Sequence, residues 1–107
     1  MIRYVAVLRR REGSSHQDFL SAWLGDHQEL ARALPHIRAV HFQPSVPVPG
    51  MELSFDGVGF LEFDSVQDLT SSLASEQAVA LRAHTATFAD AASVVRAVVA
   101  PADGGGH

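Results

Sequence analysis

Hydrophobic positions follow two rhythms along the chain. Residues 2–9, 36–43, 57–63 and 93–100 are short runs of β-branched and other apolar side chains bounded by turn formers, and each predicts a strand. After the first run, Ser15 with Asp18 three residues on reads as a helix start. Phe19, Leu20, Trp23, Leu24, Leu30, Ala31 and Leu34 then recur at helical spacing until Pro35, with Gly25 as the expected kink. A second helical region, opened by Asp64 or Ser65 and broken near Ser75, runs to about Asp90. Between Gln43 and Asp56, Pro44, Pro47, Pro49 and Gly50 forbid regular structure throughout, and so long a connection reads as a functional flap. The order β-α-β-β-α-β predicts the α+β class: a ferredoxin-like sandwich with two helices on one face of an antiparallel four-stranded sheet. Residues 1–100 read as one domain, and the glycine-rich tail 101–107 as disordered.

A sheet with one wet face should alternate apolar and polar residues, and these strands do not. The first carries Ile2, Tyr4, Ala6 and Leu8 in one phase and Val5 and Val7 in the other. Val58 and Phe60 oppose Leu61 and Phe63 in the third, and the fourth is valine in both phases. Two helices cover one side only. The other side predicts a homodimer with two sheets packed face to face.

Composition narrows the chemistry. The 107 residues are 47% hydrophobic and 19% charged with a net charge of −4, the balance of a globular domain. No apolar run approaches the roughly 20 residues of a membrane helix. The first residues lack a secretory h-region, so the expected location is cytoplasmic. Cysteine and lysine are absent, which excludes disulfides, thiolate catalysis, Schiff-base chemistry and the P-loop. The acidic balance and scattered arginines argue against nucleic acid as a partner, and Arg9-Arg10-Arg11 reads as a strand end entering a turn.

What remains is histidine. Phe19, Trp23 and His27 lie one above another on the first helix, and Leu81, His84 and Phe88 share one face of the second. His27 and His84 therefore point from two helices toward the same side of the sheet. A buried neutral imidazole among aromatic rings could take or give a proton near pH 7; the alternative is a core histidine satisfied by a backbone carbonyl. His41 on the second strand completes a conceivable three-histidine metal site, though no local His-x-x-x-His spacing supports it. Glu62 and Asp64 read as a solvated strand-end pair, and His16 and His36 as exposed.

Leu8-Arg9-Arg10, Phe19-x-x-x-Trp23-x-x-x-His27, Leu34-Pro35, Phe55-Asp56-Gly57-Val58, Phe63-Asp64-Ser65, Ser75-Glu76 and Phe88-x-Asp90 together resemble the EthD family of dimeric α+β barrel proteins. Gln28-Glu29 follow His27 where that family often has a small residue and a proline. The resemblance implies this fold and a pocket more than a reaction; with the buried histidine stripe beside aromatics, the expected function is a cofactor-free lyase or isomerase, of cyclase, dehydratase or decarboxylase type, acting on a polyketide-like or aromatic molecule. His27 would shuttle the proton, His84 or Tyr4 would polarise a carbonyl, and Phe19, Trp23, His41, Phe63 and Phe88 would line the substrate site. It equally admits a non-catalytic accessory protein that holds a hydrophobic metabolite or, further off, a haem-binding or quinol-oxygenase-like protein.

Overall fold

The computed structural model describes residues 1–102, so most of the tail expected to be disordered lies outside the described residues. Strands β1 (Ile2–Leu8), β2 (Ala39–Pro44), β3 (Gly57–Phe63) and β4 (Val95–Val99) form one antiparallel sheet in the order β2-β3-β1-β4. This is the ferredoxin-like arrangement that the pattern predicts. β2 starts three residues later than its apolar run because His36, at φ 65°, turns the chain in the left-handed region. β4 is shortened by a 3₁₀ turn over Ala91–Ser93, closed by Ser93 N–H donating to the Asp90 carbonyl at 3.1 Å.

The first helix comes in three pieces. α1 (His16–Ala22) opens with a full capping box: Asp18 N–H donates to Ser15 Oγ at 3.0 Å, and Ser15 N–H to Asp18 Oδ2 at 3.4 Å. A π-helical turn (Trp23–His27) follows, broken by Gly25 at φ −92°, ψ −110°, and α2 (Gln28–Arg32) resumes. The kink falls at the glycine that predicts it. α3 (Val66–Leu73) and α4 (Glu76–Phe88) are capped by Ser65 and Ser75, each side chain accepting from the backbone N–H three residues on. Among the described residues, no helix is long and apolar enough to cross a membrane.

Register assigns the sheet's two faces. Tyr4 pairs with Leu61 and Ala6 with Gly59, while Val40 and Phe42 flank the same two β3 residues. This phase faces the helices and builds two core clusters. Ala31, Leu34, Leu61, Phe63, Leu69 and Ala78 form one; Leu8, Phe19, Trp23, Phe88 and Ala89 form the other. The opposite phase carries Val5, Val7, Val58, Phe60, Ala97 and His41, and no helix covers it; Val95, at its edge, is 62% exposed.

One expectation fails on this open face. Glu62 is not a solvated strand-end carboxylate: it is only 8% exposed and accepts from Arg3 Nε at 2.9 Å, with His41 Nε2 at 3.2 Å. The connection after β2, expected as a functional flap, exposes Val46, Val48 and Met51 and is anchored at its far end by Asp56. That buried carboxylate accepts from Arg10 N–H at 2.7 Å and Arg10 Nη1 at 3.3 Å, and His16 Nδ1 lies 2.7 Å away. His16 is accordingly half-buried against Asp56 rather than free in solvent.

Candidate functional site

Where the two core clusters meet, between helices and sheet, an apolar cavity of about 70 Å³ remains. Its sheet side is Tyr4, Ala6, Phe42, Gly59 and Leu61; its helix side includes Trp23, His27, Leu81 and Thr85. Gly59 on β3 keeps the floor thin, and Gly57, two residues earlier, lies against Trp23. Any Cβ at Gly57 would stand within 3.0 Å of Trp23 Cε3, and closer still to Cζ3 and Cη2. The Trp23 ring therefore lies flat across this strand and stacks on Phe42, centroids 4.5 Å apart and planes 7° apart.

His27 closes the π-helical turn and is 5% exposed. Its ring meets the edge of Phe88 at a centroid distance of 4.8 Å and lies 6.1 Å from the centroid of Phe42. Nδ1 of His27 is 3.0 Å from Nδ1 of His84 on α4. One ring must donate and the other accept, so the pair shares a proton and leaves His27 Nε2 as its only nitrogen free for a bound molecule. Burial, reinforced by the positive charge that His84 can carry, pushes the His27 pKa from 6.5 down to about 4. The ring is neutral at pH 7. His84 lies nearer the surface than His27.

Of the residues expected to touch substrate, the structure brings Tyr4, Trp23 and His27 to the cavity. His84 does not line the cavity; it meets His27, which does, through the 3.0 Å Nδ1–Nδ1 contact. Phe19 and Phe88 are buried packing partners of Trp23 and His27, not wall residues. Phe63, completely buried beneath Leu34 and Leu69, belongs to the other core cluster. His41 is on the far face of the sheet, because its register partner Phe60 belongs to the outward phase, so the three histidines cannot converge on one metal ion. Sequence reasoning missed Phe42, Arg82 and Arg96, which line the cavity. The Gly57-x-Gly59 spacing on a strand was the available clue to a close approach at this point.

These features define a ferredoxin-like α+β domain with a histidine-bearing chamber between helices and sheet. The chain belongs to the EthD family, whose domain model matches residues 11–92. An EthD family protein from Bacillus halodurans is similar in structure, with a TM-score of 0.79 at 18% identity over 94% of this chain and 99% of that one. A protein of unknown function from Bacteroides fragilis, described as dimeric with a ferredoxin-like fold, gives 0.69 at 18% identity over 92% and 93%. A hydroxynitrile lyase from Passiflora edulis gives 0.72 at 14% identity over 92% and 90%. No protein of curated function matches in sequence.

Proposed function

We propose that the chamber is the active site of a cofactor-free lyase or isomerase in which His27 moves a proton on a small carbonyl compound. The observation that carries this reading is the buried, neutral His27 held by His84 against an apolar cavity. With Nδ1–H donated to His84, the Nε2 lone pair of His27 is free to take a proton from the carbon beside the carbonyl. The electron pair of the broken C–H bond moves into the carbonyl as an enolate, toward which Tyr4 can present its phenolic O–H. Returning the proton to another carbon completes an isomerisation; expelling a β-substituent completes an elimination. The hydroxynitrile lyase among the structural neighbours supports the lyase arm of this reading as an analogy of fold. At about 70 Å³ the chamber is roughly half the 150 Å³ known to admit benzene, so it holds the reacting end of a polyketide-like or aromatic substrate and not its ring system. The test is deuterium incorporation into a panel of enolisable carbonyl compounds in heavy water. The wild type should accelerate exchange for at least one of them and His27→Gln should not; equal rates would remove His27 from the mechanism.

We also propose that two copies pack open face to open face, as the dimeric description of a structural neighbour and the uncovered valines both support. Light scattering should then report twice the 11.5 kDa chain mass, whereas a stable 11.5 kDa species at low concentration would contradict it.

A further inference from the structure

Resting on the reading of the chamber as a substrate site, we propose that its substrate carries a carboxylate, which Arg82 on α4 and Arg96 on β4 hold at the mouth. The chain has 12 acidic and 8 basic residues, yet no aspartate or glutamate lines the chamber, while two arginines do. Both arginines line the cavity and are exposed, so they stand where it opens to solvent. Of the six arginines away from the chamber, Arg3, Arg10, Arg32 and Arg38 pair with a carboxylate of the protein itself and Arg11 donates to the Thr87 carbonyl; among the described residues Arg9 has no side-chain partner, but it does not line the chamber. Among the described residues Arg82 gives one N–H to the Leu73 carbonyl at 3.2 Å, and the Arg96 guanidinium has no hydrogen-bond or ion-pair partner. Arg96 also breaks a pattern: it stands between Val94 and Val98 in the helix-facing phase of β4, opposite Ala6. A guanidinium there keeps a planar fork available for a bidentate anion beside an apolar hollow.

The hollow sets the rest of the ligand. About 70 Å³ is the share of two or three water molecules in the liquid, which suits a tail of a few carbons. Crotonate, with crotonamide as its neutral isostere, is therefore the probe pair, followed by the indole N–H resonance of Trp23. That residue is the sole tryptophan of the chain and a wall of the chamber. Crotonate should bind at least about tenfold tighter than crotonamide, the scale of a hydrogen bond to a charged group. Arg96→Gln and Arg82→Gln should each erase most of that preference while leaving crotonamide affinity unchanged; both sites are exposed, and thermal melts check that the fold is kept. Equal affinity of the two probes in the wild type, or a preference that survives both substitutions, overturns the carboxylate assignment and leaves the chamber as a site. If neither probe moves the Trp23 resonance, the chamber itself is refuted as a binding site, and the assignment with it.

Discussion

Replacing Gly57 by alanine should destabilise the protein by about 3 kcal/mol, the upper part of the range for overpacked cores. A methyl group there enters the space held by the six-membered ring of Trp23, which is completely buried. Neither side can yield cheaply. Gly57 is held in β3 by pairing with Leu8 on one flank and Pro44 on the other, and Trp23 is fixed between Phe19 and Phe42. Trp23→Phe withdraws the part of the ring that reaches the strand and costs stability by itself through lost volume. Combined with Gly57→Ala, however, it should cost at least about 1 kcal/mol less than the two single changes added, because one substitution relieves the clash made by the other. Urea unfolding of the four proteins measures this coupling. Strict additivity would mean that the ring does not lie over Gly57.

The second large effect is catalytic. His27→Gln keeps a polar side chain of similar reach but cannot accept and return a proton, and general acid–base catalysis is worth about 10²–10⁴ in rate. Exchange or turnover supported by the wild type should fall by that factor, with thermal stability checked in parallel. The pH profile separates this role from simple packing. An ordinary histidine base would lose half its activity at its usual pKa of 6.5, whereas His27, held neutral down to about pH 4, should support a profile flat through that region and falling only in more acidic solution. On the proposed mechanism, His84→Phe should leave substrate affinity near the wild-type value but lower the rate, since His84 meets Nδ1 of His27 and does not line the cavity.

Much of this architecture is written locally in the chain. β3 coincides with its apolar run because glycine and aspartate punctuate both ends, and Ser15, Ser65 and Ser75 announce their helices through short-range bonds to the backbone. The site is legible only in part, for a reason of geometry. Helical periodicity places Trp23 and His27 on the buried side of their own helix, but strands with apolar residues in both phases do not reveal which phase faces the helices. Hence His41 falls on the wrong side of the sheet and Phe42, its neighbour, is overlooked. Phe19 and Phe88 are similarly ambiguous, since a residue in the stripe can line a cavity or stand behind one that does. Arg82 and Arg96 are charges whose position at a chamber mouth emerges only when α4 and β4 meet across the sheet.

The proposed chemistry rests on an imidazole kept uncharged inside a protein chamber. Following the ring resonances of His27 by NMR as pH falls tests this directly, with His84→Phe to identify the partner's contribution. The expected midpoint lies near pH 4, well below the 6.5 of a free histidine, and shifts back upward when His84 is replaced. A His27 that titrates near 6.5 in the folded wild type would be a solvated side chain, and the proton-transfer site built on it would not exist.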